Sequence, residues 1–399
     1  VTTTTDGSYV DVDKSAAPLA KVTMESNNPN DKYYARENDV ITFYFTAAEA
    51  LSSTDPTLTI EGATDNATHI TGNKYYAEYT VDNDDTQNAS VEFTIEYEDA
   101  DGLTGKATSV TAGEYVTIDY TAPSIDNTTI ETGDFNIGST VETELDLDAA
   151  DYSLTSAEIN NIKYPDAQLQ FISEAGNDVY TVNYQVREND KIVRAADNFT
   201  LSYTMSDQAG NSVSSGLISQ ATTNIYSERP SAYVSGKTTL CAGENVTFAI
   251  DGGEPDWEVC FDKIPSSGET CEAAISTSPH EYAGSTGTGT FEITRVTDNF
   301  GNQSTELISP FQWTVRSLPE VEFTMNETVF QEDESVNLVG PTVTATPSPG
   351  NFNGPGVLNS QKRFVAEQAG IGNHILTYTY EDSNGCVASD NESVQVTQY

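Results

Sequence analysis

The chain has 399 residues and sets 62 acidic side chains against 17 basic ones, a formal charge of −45. Such a surface repels phosphate backbones and anionic headgroups, which argues against nucleic acid or a lipid surface as partner. No apolar stretch approaches the ~20 residues that cross a bilayer, so no membrane insertion is expected of this segment.

The first elements are strands. Ile41, Phe43 and Phe45 alternate with polar neighbours, as one buried face requires. The same alternation appears at Val141 and Leu145, at Val246, Phe248 and Ile250, and at Val336 and Leu338, which reads as one equivalent core strand in four units. Later strands repeat it in VEFTIEY (91–97), FTLSYTM (199–205), GTFEITRV (289–296) and HILTYTY (374–380). The only helical candidates are AAEALSS (47–53), a single turn at most, and TSAEINNI (155–162), both too short to define a layer.

Each late strand is followed by the same punctuation. Asp99-x-x-Gly102, Asp207-x-x-Gly210, Asp298-x-x-Gly301 and Asp382-x-x-Gly385 fit a type I turn closed by a left-handed glycine, one hairpin per unit. A second marker, TDGSYVDVDKSAAP (5–18), returns as TAGEYVTIDYTAP (111–123), and Pro230 and Pro319 end similar segments. From each motif Asp to the next such Pro is 24, 23 and 21 residues (99 to 123, 207 to 230, 298 to 319).

These spacings predict an all-β chain: an elongated tandem array of immunoglobulin-like β-sandwich domains. The expected boundaries are 1–18 for the last strand of a preceding repeat, then domains at 19–123, 124–230, 231–319 and 320–399, the first two longer than the last two. The 399 residues therefore read as a piece of a longer array, with neighbouring repeats as the nearest partners. Short linkers such as DYTAPS and RSLPE, each with a fixed φ at Pro, should restrain adjacent domains.

The acidic surface has two readings. One is solvation and mutual repulsion, which keep a dense array soluble. The other is Ca²⁺, which needs several carboxylate and carbonyl oxygens in one loop or junction. The candidates are Asp82, Asp84 and Asp85 in VDNDDTQN and Asp99 and Asp101 in EDADG, although no complete calcium-loop motif is present.

Four cysteines fit an oxidising compartment. Cys260 and Cys271, eleven apart around a turn-rich segment, form the disulfide candidate. Cys241 and Cys386 lie in different units, and pairing Cys241 with either of the other two would leave a thiol over.

No catalytic residues are assigned. His69, His280 and His374 fall in three different units, and no HExxH, GxSxG or phosphate-loop pattern occurs, so no enzyme is expected. Trp257 and Trp313 read as core anchors in preference to sugar platforms. The 21 tyrosines keep a glycan- or surface-binding module as the alternative. Eight Asn-x-Ser/Thr sequons, among them Asn66, Asn198 and Asn245, carry little weight in so Thr- and Asn-rich a chain.

Three stretches carry a resemblance. NFNGPGV (351–357) followed by RFVAEQAGIGNHILTYTYEDSNGC (363–386), and SGKTTLCAGENVTFAIDGGEPDWEV (235–259), are similar to the immunoglobulin-like repeats of very large Bacteroidota cell-surface proteins. That group includes the gliding-motility surface adhesin filament exported by the type 9 secretion system. ITFYFTAAEAL (41–51) with VTIDYTAP (116–123) resembles a broader class of bacterial immunoglobulin-like modules. The resemblance implies an extracellular stalk segment of an adhesin or gliding filament, with the type 9 secretion and gliding machinery among its partners. It also implies an early Cys as partner for Cys386. TVFQEDESVNL (328–338) has none, which leaves Cys386 either free or paired outside its unit.

Overall fold

In the computed structural model, residues 5–6, 14–283, 287–304 and 306–398 are described. The chain divides into two compact units, Val1–Ile225 and Tyr226–Tyr399. The strand expected within residues 1–18 lies almost wholly outside the described residues.

The first unit contains two hydrophobic cores, one built from Leu19 to Ile118 and one from Ile130 to Ile225. In the first core, Leu19–Ser26 pairs antiparallel with Val40–Ala47, which pairs with Lys74–Thr80. The facing sheet has the order Thr104–Ala107, Phe93–Glu98, Thr57–Ile60, Ala63–Asn66. The alternation of VITFYFTA buries Ile41, Phe43 and Phe45 and leaves Tyr44 exposed. Phe43 meets Phe93 of the other sheet at 5.0 Å between centroids. In the second core, Ile125–Ile130, Thr140–Leu147 and Val179–Gln185 repeat the first arrangement, opposite Ser153–Ile159 and Phe199–Ser206.

The second unit also holds two cores, Ala232 to Val315 and Phe323 to Val396. Trp313 is buried among Phe248, Phe261 and Phe291. Trp257 is buried and donates its indole N–H to the Gly252 carbonyl. Neither is available as a flat sugar platform.

The entry to these domains is split between the two sheets. After the antiparallel first strand, a short second segment runs parallel to the domain's last strand: Tyr34–Ala35 beside Thr117–Ile118, Thr239–Cys241 beside Gln312–Arg316, and Val329–Gln331 beside Val387–Thr397. A strand that changes sheet in this way closes an immunoglobulin-like sandwich, and the chain is all-β in tandem sandwiches.

Two local readings differ from the structure. TSAEINNI is not helical, because Ser153–Ile159 is a strand with a register shift between Leu154 and Ser156. That extra residue breaks the period of two and imitates a helical spacing. AAEALSS forms no helix either, since Ala47 ends a strand and an isolated bridge links Leu51 to Asp99. The only helical segments among the described residues are Asn359–Gln361 and Ala366–Ala369.

In the fourth domain the strand that pairs with the first one is Val343–Thr346, whereas Ser335–Asn337, next to the expected Leu338, pairs with Arg363–Val365. The turn at Gly340-Pro341 separates the two, and a proline without an N–H cannot continue the ladder.

Candidate functional site: the domain junctions

The four Asp-x-x-Gly turns share one set of bonds. The glycine N–H donates to the Asp carbonyl at 3.1, 3.2, 3.1 and 3.1 Å in chain order, and each glycine has φ between 80° and 87°. The carboxylate then accepts the N–H of the residue four places on, at 2.9 Å for Leu103, 2.9 Å for Asn211, 2.8 Å for Asn302 and 2.9 Å for Cys386. The Cys386 N–H is the main reason the Asp382 carboxyl sits below the usual carboxylate range. Aspartate and glycine are therefore used here for the backbone they shape.

The residue at that fourth place does different work from turn to turn. The Asn211 side-chain amide donates to Asp207 Oδ2 and to the Asp119 carbonyl, both at 2.9 Å, and so reaches from the second domain to the end of the first. Asn28 and Arg36 of the first domain answer by donating to the Ala209 and Gly210 carbonyls, each at 3.0 Å. Asn28 is buried, and its Oδ1 accepts the N–H groups of Asn30 and Asp31, so it organises its own loop while holding the neighbour.

In the third domain the Asn302 amide donates to Asp298 Oδ2 and to the carbonyl of Tyr226, the first residue of the second unit, both at 3.0 Å. Phe300 of the same turn stacks on Tyr226 with centroids 3.5 Å apart. Gly253 fits beneath: a Cβ there would lie 2.9 Å from Asp298 Cβ and 3.1 Å from Pro230 Cβ. In the fourth domain the position is Cys386, which is buried and disulfide-bonded to Cys241 of the third, with Cα atoms 5.5 Å apart. The Cys241 N–H is held by Glu244 at 2.7 Å, which keeps that carboxyl below its ordinary value.

The calcium candidates occupy two separate loops. Asp85 accepts the Tyr79 hydroxyl on Oδ1 and the Asp82 N–H on Oδ2. Asp190 of the second domain takes the equivalent partners on one oxygen, Oδ2, accepting the Tyr184 hydroxyl at 2.7 Å and the Arg187 N–H at 2.8 Å. A Tyr-x₅-Asp corner is thus common to the two domains; Tyr79-x₅-Asp85 and Tyr184-x₅-Asp190 were its unread signal in the sequence. Asp99 Oδ1 is shared by the N–H groups of Asp101 and Leu103. Among the described residues the one group of three His, Cys, Asp or Glu side chains whose ligand atoms lie within 4.8 Å of one another is Glu258, Cys260 and Cys271. The two sulfurs there are joined to each other, directly opposite across an antiparallel pair of strands.

Sequence reasoning missed a cavity of about 370 Å³ inside the first unit, where Asp119, Asp148, Asp151 and Asp207 come round the end of the first domain and the start of the second. Burial, opposed in part by the Thr121 N–H and reinforced by Asp207, raises the Asp119 pKa. Burial and Asp31, Asp119, Asp207 and Asp151 likewise raise Tyr34.

The chain matches no family model and no curated protein. Among solved structures it is similar to a Ca²⁺-stabilized adhesin that helps an Antarctic bacterium reach out and bind ice, with 17% identity, 96% of this chain and 100% of that one covered, and a TM-score of 0.30. It is similar to a tetra-tandem repeat in the extending region of a large adhesion protein, with 13% identity, 94% and 99% coverage and a TM-score of 0.27. A third likeness is to the I67–I69 I-band fragment from titin, with 9% identity, 96% and 100% coverage and a TM-score of 0.31.

Proposed function

We propose that the chain is a non-enzymatic, load-bearing stalk segment of a large extracellular adhesin or gliding-motility filament, in which successive sandwiches act as spacers for a binding tip. The observation that carries this reading is the reuse of one turn as a clasp. Twice the residue four places after the motif aspartate reaches a neighbouring domain of the same unit, through Asn211 and Cys386, and once, through Asn302, it holds the entry to its own unit at Tyr226. Domains that only shared a chain would not each need a side chain for that purpose.

Two disulfides support an oxidising, extracellular setting. The finer assignment, to a Bacteroidota filament exported by type 9 secretion and working with gliding machinery, rests on the repeat resemblance in the last two domains. Intact producing cells treated with an antibody against this chain, and with a protease that does not enter cells, test the placement. Surface labelling that the protease abolishes is the expected result; labelling only after lysis overturns the reading.

The alternative is a module that itself grips a surface, stiffened by Ca²⁺ at Asp82, Asp84, Asp85, Asp99 and Asp101. The hydrogen bonds already held by Asp85 and Asp99 support a turn-capping role for those two carboxylates. Burial of both tryptophans likewise favours the spacer over a glycan platform. A polysaccharide array probed with the whole chain separates the two, since the spacer reading expects no retention.

A further inference from the structure

We propose that the Cys241–Cys386 disulfide is a force bypass, which takes most of the third and fourth domains out of the load path while it is oxidised. The proposal rests on the load-bearing reading above and on where the two cysteines sit along the chain.

The bond closes a loop with a sequence separation of 145, so 144 residues lie between the two cysteines. That loop holds nearly everything the two domains are made of: strands Val246–Asp251, Trp257–Ile264, Gly289–Thr297 and Gln312–Arg316 of the third, and Glu322–Met325 through Gly372–Glu381 of the fourth. Outside it remain Ser231–Val234 and Thr239–Cys241 at one end and Val387–Thr397 at the other.

Tension entering near Tyr226 therefore runs through the strands Ser231–Val234 and Thr239–Cys241 and the two four-residue links before them, 227–230 and 235–238, crosses the sulfur bridge, and leaves along the single strand Val387–Thr397. A covalent bond does not lengthen at forces that unfold a domain, and strand residues already stand near their full reach. The strands paired with Val387–Thr397 carry no end load, because both points of pull lie on that one strand. The linker at Leu318–Pro319, the ordinary connection between the two domains, is shielded as well.

The Cys260–Cys271 bond differs. Its sequence separation is 11, it lies inside the protected loop, and it comes under tension only after the outer bond has opened. Opening requires a two-electron reductant: a dithiol attacks one sulfur, leaves as its own cyclic disulfide, and delivers two protons so that Cys241 and Cys386 become thiols. Freed, the 144 residues extend by about 3.5 Å each, or roughly 500 Å in all.

The test holds the full chain by its two ends in a single-molecule force instrument. Without reductant, the expected release is that of the first two domains alone. Adding a dithiol to the same folded molecules, or using C241S/C386S, should add roughly 500 Å of contour length, whereas C260S/C271S should leave the oxidised record unchanged. Reduction after tethering does not depend on the variants folding. The proposal is overturned if chains shown by peptide mapping to keep Cys241 bonded to Cys386 release that length unreduced, or if the dithiol adds none. A chain that fails the cell-surface test and still shows the length change would lose the adhesin reading and keep the bypass.

Discussion

Cys386 stands in the fourth domain's turn where Asn302 stands in the third. Each is held through its N–H by the motif aspartate, at 2.9 and 2.8 Å, and each is buried. One ties backward by a covalent bond and the other by an amide that donates to the Tyr226 carbonyl.

Asn302→Ala is expected to cost about 1–3 kcal/mol, because it removes two hydrogen bonds from a buried amide. Asn384→Ala, an exposed change in the next domain's turn, should stay within about 0.5 kcal/mol. Denaturant unfolding of the full chain, followed by tryptophan fluorescence from the third domain, measures the first. Equal losses for the two variants would show that the Asn302 bonds to Tyr226 and Asp298 add nothing to stability.

Asn28→Ala should loosen the first unit at two places at once. Its amide holds Asp39 and Ala209 while its carbonyl oxygen organises residues 30 and 31. Hydrogen exchange should quicken around residues 28–36 and also at the second domain's turn, 207–211. Quickening in the first stretch alone would mean that Asn28 serves only its own loop.

Asp119 gives a pH dependence whose sign can be worked out. Its folded pKa is raised by burial and by Asp207, so the native state takes up the proton more readily than the unfolded chain does. The resulting penalty is fully present above the folded pKa and is relieved as pH falls through it. Stability contributed by this group should therefore increase as the solution is acidified from neutral towards about pH 4. Asp119→Asn should raise the melting temperature of the first unit at pH 7 and flatten that trend; a lower melting temperature at pH 7 would show that the carboxylate is favourable there.

Asp99→Ala separates turn capping from cation binding. Losing the acceptor for the Asp101 and Leu103 N–H groups should cost about 1–2 kcal/mol. As a cap, Asp99 should give the same loss in 2 mM calcium, roughly the range of extracellular modules, and in excess chelator. A loss confined to the calcium buffer would make this loop a metal site.

Alternating stretches such as VITFYFTA carry their burial pattern on their face, because a period of two leaves no choice about which side is inside. Asp-x-x-Gly was legible for the same local reason, since glycine at positive φ and a carboxylate over backbone N–H groups need no tertiary context. What the turns hold was not legible. Asn211, Asn302 and Cys386 occupy one position of one motif, yet their partners lie 92, 76 and 145 residues away. No local spacing encodes such a distance. The strand Ser153–Ile159 escaped for a smaller reason, a bulge that put its buried residues out of step.

The parallel pairing at the edges of the domains bears on how each one yields. Where the segment near a domain's beginning runs parallel to its last strand, pulling the two ends apart slides one past the other, so their cross-strand bonds share the strain together. An antiparallel arrangement would peel open one bond at a time. Tyr34–Ala35 offers two such pairs in the first domain, which lies outside the loop closed by the Cys241–Cys386 disulfide. Under a steady pull along the first domain those two pairs are loaded together, and they are all that this edge has to resist with.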